Sequence, residues 1–177
     1  MLNLYQFHSR PQQLMGYAES AKKIPSIAWQ LAKTDVQKRK LEHLWATDAL
    51  YAYWYARLVI GKRWPPGEAA IAGDPELAYS YARGVIKKPW PPGEAAIASD
   101  PVWAHRYAYH VIKKPWPPGE AAIASDPELA YYYARDVIKK PWPPGEAVIA
   151  GDPYWVREYQ KQFKVKLRAK SEQDINQ

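Results

Sequence analysis

The side chains that could carry acid–base or metal chemistry are few in this sequence. It contains four histidines and no cysteine, so a thiol nucleophile, a zinc thiolate site and a disulfide are excluded. His105 and His110 are five positions apart, about 140° around a helix, and do not share a helical face. We expect both at the surface or its rim. Because no acid–base pair or activated nucleophile is visible, the sequence predicts a protein that is not an enzyme and has no catalytic residue or cofactor.

A glutamate recurs every 26 residues and raises the question of a metal site. The four members are Glu68, Glu94, Glu120 and Glu146. Each is predicted to stand in the first turn of a helix, where the positive end of the helix dipole already favours a carboxylate. We therefore expect no metal at these positions.

Pairs of lysines recur with the same period and are suited to binding anions. They are Lys87 and Lys88, Lys113 and Lys114, and Lys139 and Lys140. Each pair is predicted at the C-terminal end of a helix, where cations interact favourably with the helix dipole. Stacked at a helix spacing of about 8–10 Å, the pairs would also form a basic stripe that follows a phosphate backbone. Helix capping and phosphate contact are both open interpretations.

Macromolecular recognition is the remaining chemistry, and differences between near-identical copies show where it would occur. The positions that vary are Ser80, Arg106 and Tyr132; Gly84, His110 and Asp136; and Glu76, Val102 and Glu128. On a helix these three positions fall within about 80° of one another and face away from the core. The variation is either drift at exposed positions or the presentation of different side chains to an extended ligand. The candidate binding residues are Trp54, Arg57, Ser80, Arg83, Arg106, Tyr109, His110, Tyr132, Arg135 and Asp136.

These residues are all positioned by one 26-residue repeat. Superposed at that period are Asp48, Asp74, Asp100, Asp126 and Asp152, and likewise Trp64, Trp90, Trp116 and Trp142. Such self-similarity at a fixed period is the signature of a solenoid or array. We number the complete repeats 1 to 4, beginning at the first four of those aspartates.

Each repeat is predicted to hold a long and a short helix. In repeat 4, Asp126 is a preferred N-cap and Pro127 suits the first helical position. The long helix should run about 12 to 13 residues and end at Lys139 or Lys140, because the residue before Pro141 is disfavoured in helical geometry. Two prolines then start the short helix.

The apolar residues of the repeat are expected to form a continuous core. In repeat 4 the core face of the long helix is Ala130, Tyr133, Ala134 and Val137. The tryptophans should pack between repeats, with the indole N–H bonded to a carbonyl. The tyrosine series of Tyr55, Tyr81, Tyr107, Tyr133 and Tyr159 should also pack there, with hydroxyls bonding across repeats.

The predicted fold class is all-α, a short two-helix tandem-repeat solenoid with helical caps. Residues 1–41 form the N-terminal cap, 42–151 the repeats, 152–170 a C-terminal capping helix, and 171–177 a disordered tail. Within the N-terminal cap, Ser9 to Gln12 and Thr34 to Gln37 have the spacing of capping boxes, and Pro25 is expected to open a helix between them.

The strings DPELAYYYARDVIKK and PWPPGEAAIASDP resemble tandem repeats in uncharacterised proteins of bacteriophages and large viruses. The resemblance covers about residues 42–163 and is specific in its Asp-Pro, Tyr-Ala-Arg, Val-Ile-Lys and Trp-Pro elements. It implies a viral origin and a repeat fold, and it implies no activity or site.

The charge distribution guides the choice of partner. Of the net charge of +7, residues 1–47 contribute 7 − 3 = +4, residues 48–151 contribute 12 − 11 = +1, and residues 152–177 contribute 6 − 4 = +2. Because the repeats are nearly neutral, and because Tyr, Trp and Arg dominate interface hot spots, the leading hypothesis is a recognition scaffold for a protein partner.

Two alternatives stand beside a protein partner. One is binding of RNA or single-stranded nucleic acid, with lysine pairs on phosphates and Tyr109, Tyr132, His110 or Arg106 on bases. The other is a structural viral component. The sequence has no signal-like N-terminus and no run of about 18 apolar residues, so we expect a cytoplasmic protein, in the host cytoplasm if viral, without membrane association. The oligomeric state is left unspecified.

Overall fold

The computed structural model describes residues 24–169 of the chain. Within that range the protein consists of helices and their connections, with no strand, which confirms the predicted all-α tandem-repeat fold. The chain forms two compact units, Met1–Gly73 and Asp74–Gln177. The division falls between repeats 1 and 2 rather than at the predicted cap boundaries.

Every complete repeat contains a long helix that begins as an α-helix and ends as a π-helix. The long helices are Ala49–Trp54 with Tyr55–Ile60, Pro75–Tyr81 with Ala82–Ile86, Pro101–Tyr107 with Ala108–Ile112, and Pro127–Tyr132 with Tyr133–Ile138. The short helices are Glu68–Ala72, which follows the 3-10 turn Pro65–Gly67, then Pro91–Ala98, Pro117–Ile123 and Pro143–Ile149. The flanking helices are Asp35–Trp45 and Pro153–Phe163, and residues 24–31 are also helical.

The predicted helix starts are confirmed. Asp74 caps its long helix by accepting a hydrogen bond from the Leu77 N–H at 2.8 Å, and the aspartates of the other repeats act in the same way. Thr34 and Gln37 form the expected capping box. Pro25 is buried within the helical residues 24–31, and the capping box predicted at Ser9 lies outside the described residues.

The C-terminal end of each long helix differs in detail from the prediction. The first lysine of each pair adopts a left-handed backbone conformation, with a φ of 59° at Lys87, and its N–H donates to the carbonyl of Ala82, five residues back, at 2.7 Å. In repeat 1 the same position is Gly61, with a φ of 71°. Repeat 1 has Arg63 where later repeats have proline, yet its helix ends at the same register. The proline is therefore not required to end the helix.

The C-terminal helix shows what the π-turn contributes. Pro153–Phe163 is α-helical throughout, and the left-handed residue that ends it is Lys164. In repeat 4 the left-handed residue is Lys139, 13 positions after the Asp126 cap, whereas Lys164 lies 12 positions after the Asp152 cap. The π-turn therefore adds one residue between the cap and the end of the helix. The predicted capping helix was too long, because residues 164–169 are not helical; the tail predicted at 171–177 lies outside the described residues.

The core is built from the same residue types in every repeat. The predicted core face of repeat 4 is buried along its whole length, and each short helix contributes one fully buried isoleucine. Trp90 and Trp116 are 3% and 5% exposed, as predicted. The Trp90 ring packs against Tyr81 at a centroid distance of 4.9 Å and lies directly over Gly93, where a Cβ would come within 2.7 Å of it. The glycine of each short helix is therefore required by the tryptophan that covers it.

Tyrosine hydroxyls join successive repeats of the second unit, as expected. The hydroxyl of Tyr133 in repeat 4 accepts a hydrogen bond from the backbone N–H of Trp116 in repeat 3 at 2.7 Å. It donates to Glu120 Oε1 at 2.9 Å. The same pair of bonds links Tyr107 to Trp90 and Glu94, and Tyr159 to Trp142 and Glu146. Glu94, Glu120 and Glu146 therefore accept a buried hydroxyl in addition to standing in the first helical turn.

One expected contact of the tryptophans is absent. The buried Nε1 of Trp90 has no hydrogen-bond partner among residues 24–169, so the predicted bond from the indole N–H to a carbonyl is wrong at this position. The Trp90 ring is held by packing against Tyr81 and Gly93.

In the first unit the repeat pattern continues upstream of Asp48. The hydroxyl of Tyr55 donates to Glu42 Oε1 at 2.7 Å, the same bond that the second unit uses between repeats. One period before Tyr55 and Trp64 stand Trp29 and Lys38, and the Lys38 ammonium lies 5.1 Å from the centre of the Trp29 ring. A cation–π contact here replaces the tyrosine–tryptophan contact of the complete repeats.

Candidate functional site

Tyrosine–arginine pairs recur on the long helices, with a buried tyrosine and a more accessible arginine four residues later. Arg83 Nη1 donates to the Tyr79 hydroxyl at 2.9 Å, and the guanidinium carbon lies 5.9 Å from the Tyr79 ring centre. In the first unit, Arg57 and Tyr53 make the same bond at 2.6 Å. The spacing of four residues places both side chains on one helical face. The arginines predicted as free anchors are therefore held in place by neighbouring aromatic rings.

In the second unit these rings also contact the next repeat. Tyr79 of repeat 2 lies 5.4 Å from Trp103 and 6.3 Å from His110, both in repeat 3. Tyr131 of repeat 4 lies 5.3 Å from Trp155 of the C-terminal helix. Tyr79 and Tyr131 were not among the site residues predicted from the sequence. The recurring Tyr–Arg spacing of four residues was the signal that could have identified them.

Repeat 3 departs from this pattern. His105 and Tyr109 occupy the positions that hold tyrosine and arginine elsewhere. Their rings are parallel, with centroids 6.4 Å apart. Its arginine, Arg106, lies instead over Trp103, 4.7 Å from the ring centre. Tyr109 is 47% exposed, so repeat 3 presents an open aromatic ring where repeats 2 and 4 present a guanidinium.

The two histidines of repeat 3 are less exposed than predicted. Both are half-buried, and His105 Nε2 is buried with no hydrogen-bond partner among residues 24–169. Burial lowers the pKa of His105 below its usual value of 6.5. Burial also lowers the pKa of His110, with the charges of Arg83 and Arg106 acting in the same direction. Burial therefore favours the uncharged imidazole at both positions next to Tyr109.

Arg135 and Asp136 neutralise each other. The guanidinium makes two hydrogen bonds to the carboxylate, at 2.7 and 2.8 Å, and lies 4.6 Å from the centre of the Tyr132 ring. The hydrogen bond to Asp136 is the main cause that raises the pKa of Arg135. Both side chains are half-buried and contact each other, and Arg135 also contacts the Tyr132 ring.

The predicted binding strip is therefore exposed only in part. Arg57, Arg83, Arg106 and Tyr109 are exposed, whereas Trp54, Ser80, His110, Tyr132, Arg135 and Asp136 are half-buried. In the second unit the half-buried members lie where one long helix faces the next. The exposed part of the predicted strip is thus narrower than expected, because the next long helix covers one side of it.

The lysine pairs are the most accessible of the predicted groups. All six lysines, Lys87, Lys88, Lys113, Lys114, Lys139 and Lys140, are exposed, and none makes an ion pair within residues 24–169. We call these six residues the lysine row. A helix C-terminus carries about half a negative charge, which is too little to neutralise two lysines. Each pair therefore caps its helix and still presents net positive charge.

Charge is segregated along the long helices of repeats 2 to 4. Residues 74–151 contain nine Lys/Arg and nine Asp/Glu. Eight of the nine basic residues lie in the second half of a long helix or just after it, and Arg106 lies at the middle of its long helix. Of the acidic residues, three are N-caps, three accept tyrosine hydroxyls, Asp136 is paired with Arg135, and Glu76 and Glu128 stand in first helical turns. A neutral sequence thus folds into a surface with one basic side.

An open pocket of about 420 Å³ lies between repeats 3 and 4 on this basic side. Tyr109, Lys113, Lys114 and Pro115 line it from repeat 3, together with Ala108, and Asp136, Val137 and Lys139 line it from repeat 4. The pocket joins the exposed ring of Tyr109 to the lysine row, two features that the nucleic-acid hypothesis combined.

Other kinds of site find less support in the described part of the chain. No group of three or more His, Cys, Asp or Glu side chains within residues 24–169 is arranged to hold a metal ion. In the same range no helix is both long enough and apolar enough to cross a membrane.

Comparison of the chain with protein-family models, with curated proteins and with solved structures finds no match.

Proposed function

We propose that this protein is a non-enzymatic helical-repeat scaffold that binds single-stranded nucleic acid, RNA or DNA, along the lysine row. The observation that carries the proposal is the segregation of charge in repeats 2 to 4: the six lysines are exposed and make no ion pair within residues 24–169, while most acidic residues act as helix caps or hydroxyl acceptors. The near neutrality of the repeats, which favoured a protein partner from sequence alone, no longer weighs against a polyanion. A local basic surface is what a phosphate backbone requires.

Aromatic side chains beside the lysines support a single strand rather than a duplex. Proteins that bind single strands combine a basic groove with rings on which bases stack. Tyr109 lies four residues before Lys113 on the same helix and is open to solvent. The proposal places the protein in the cytoplasm, of a host cell if its origin is viral as the repeat resemblance implies.

The test measures binding of fluorescein-labelled oligouridylate and oligothymidylate of about 20 nucleotides, longer than the roughly 4–16 nucleotides that single-strand binding folds cover. If each of the six lysines neutralises one phosphate, log affinity should fall with log salt with a slope of about −4, at roughly −0.7 per phosphate. The triple variant Lys87→Asn, Lys113→Asn and Lys139→Asn should have a slope of about −2 and bind more weakly. Asparagine is chosen because it tolerates the left-handed conformation.

A matched control removes three positive charges elsewhere. Lys33, Arg39 and Lys40 are exposed residues of the first unit outside the lysine row, and replacing them with glutamine should leave the slope within one phosphate of the parent. Equal loss in both triple variants would mean that only net charge matters. A flat salt dependence in the parent protein would refute the proposal.

A protein partner is the second candidate, and the aromatic–arginine surface favours it. Arg106 and Arg135 are held against tryptophan and tyrosine rings, which gives pre-organised groups of the kind found in interface hot spots. Replacing Arg106, Tyr132 and Arg135 with alanine should then weaken capture of a host protein by more than about 1 kcal/mol for at least one residue, with nuclease treatment having no effect. The lysine variants would leave that capture unchanged.

A further inference from the structure

The lining of the pocket between repeats 3 and 4 includes a tyrosine at a position where the other repeats have arginine. Tyr109 stands where repeats 1, 2 and 4 have Arg57, Arg83 and Arg135. In those repeats the guanidinium bonds or stacks on the tyrosine one helical turn earlier. In repeat 3 that tyrosine is His105, so the ring of Tyr109 is left without a guanidinium over it and forms part of the pocket lining.

We propose that this pocket is a nucleotide subsite, in which a base stacks on Tyr109 and its phosphate contacts Lys113 and Lys139. For a nucleotide within a strand the inference rests on the proposed function, and the subsite would fix the register of the strand on the repeats. A free nucleoside monophosphate carries the same chemistry and would occupy the pocket in the same way.

The composition of the pocket fits a ring that carries a phosphate. Its volume of about 420 Å³ lies within the roughly 300–1,000 Å³ typical of small-molecule sites. Pro115 and Val137 supply apolar lining, and three lysines supply positive charge with no acidic partner among the residues that the structure describes. Base stacking on an exposed aromatic ring is a sequence-tolerant source of affinity. Phosphate and base contacts are thus available within one cavity.

Asp136 also lines the pocket and would repel a phosphate if it were free. Its carboxylate is bound through both oxygens to Arg135, so the pair adds little net charge. Tyr109 is likewise positioned in advance, because its ring is parallel to that of His105 and edge-on to that of His110 at 4.8 Å. A ligand would therefore meet a basic site whose aromatic ring is already oriented.

The first experiment titrates the full chain with AMP by calorimetry. Tyr109→Ala should weaken AMP binding by at least about fivefold, the lower end of what a lost stacking contact costs, whereas Tyr109→Phe should retain it. Lys113→Asn and Lys139→Asn should each weaken binding without changing the circular dichroism spectrum. AMP binding that is unaffected by Tyr109→Ala, or lost equally in Tyr109→Phe, would overturn the assignment.

The C-terminal helix offers matched controls outside the pocket. Tyr154 is an exposed tyrosine, and Lys164 is an exposed lysine with a left-handed backbone, like Lys113. Tyr154→Ala and Lys164→Asn should leave AMP binding unchanged. Weakening in these variants as large as in the pocket variants would show that the binding is not specific to the pocket.

Three further ligands test the phosphate contact and the base contact separately. Adenosine lacks the phosphate, inorganic phosphate lacks the ring, and phenyl phosphate has a ring that is not a base, so each should bind more weakly than AMP. Phenyl phosphate binding as tightly as AMP would overturn the assignment in favour of a phosphorylated aromatic side chain of a protein partner.

Oligonucleotide binding separates this inference from the proposed function. If the strand binds through the lysine row while AMP does not bind and Tyr109→Ala has no effect on the strand, the subsite is refuted and the proposed function stands. If AMP binds in a Tyr109-dependent way and the strand does not bind, the subsite stands for a free nucleotide and the proposed function is refuted. A strand weakened by Tyr109→Ala to the same extent as AMP supports both.

Discussion

Removing one hydroxyl between repeats should measurably weaken the fold. Tyr107 is fully buried, and its hydroxyl accepts from the Trp90 N–H and donates to Glu94 Oε1, both at 2.8 Å. Tyr107→Phe keeps the ring but leaves a buried backbone N–H unsatisfied, which costs about 1–3 kcal/mol. The lost bond to the half-buried Glu94 adds about 0.5–1.5 kcal/mol, because water can replace part of it. We therefore expect a loss of about 2–4 kcal/mol, a large share of the roughly 5–15 kcal/mol typical of a folded protein.

Urea unfolding followed by tryptophan fluorescence and circular dichroism measures this loss as a shift in midpoint at constant slope. Tyr109→Phe is the control, because its hydroxyl is on an exposed residue and makes no hydrogen bond within residues 24–169. It should change stability by less than about 0.5 kcal/mol. If the two variants unfold at the same urea concentration, the hydroxyl does not join the repeats energetically and the reasoning is wrong.

Three other predictions concern the core. Trp116→Ala should cost about 3–5 kcal/mol, because it leaves a cavity at a residue that is 5% exposed; coinciding urea midpoints would contradict this. Gly119→Ala should lower the free energy of unfolding by about 1–3 kcal/mol through overpacking, because the new Cβ would lie 2.6 Å from the Trp116 ring. Gly73→Ala is the control, because its Cβ would have no atom nearer than 3.7 Å, and it should leave stability unchanged. Burial raises the pKa of Tyr159 from 10.0 to about 12. The unfolded chain then loses this proton first, so the tyrosine's contribution is complete below pH 10 and declines as pH rises toward 12. If the urea midpoint stays constant as the pH is raised from 10 to 12, the prediction for Tyr159 is wrong.

Much of the local structure followed from residue type and spacing. An aspartate followed by proline begins a helix for reasons contained in three or four residues, and the observed caps match. The core tyrosines and alanines were found from helical periodicity, because a helix facing a core must place apolar residues on one side. The end of the long helix was placed within one or two residues, whereas the left-handed residue that ends it was not predicted.

The candidate site was predictable in its members and not in its arrangement. The lysine row, Tyr109 and Arg106 were all identified from the sequence. The pairing of Arg135 with Asp136 was not, because adjacent charges in a sequence do not reveal their orientation. The contact of Tyr79 with Trp103 was not either, since it depends on how two long helices lie against each other.

The sequence by itself determined the repeat, its two helices and the positions where they begin, because those depend on short-range backbone and capping preferences repeated at a fixed period. The tertiary structure decided which part of the surface is positively charged. The net charge of a sequence does not say where its charged residues lie. Only packing shows that most acidic side chains of repeats 2 to 4 serve as caps and hydroxyl acceptors while the lysines remain exposed. The tertiary structure also decided that Tyr109 and Lys139, 30 residues apart, line the same pocket, because stacking brings successive long helices together at a distance that no local pattern encodes.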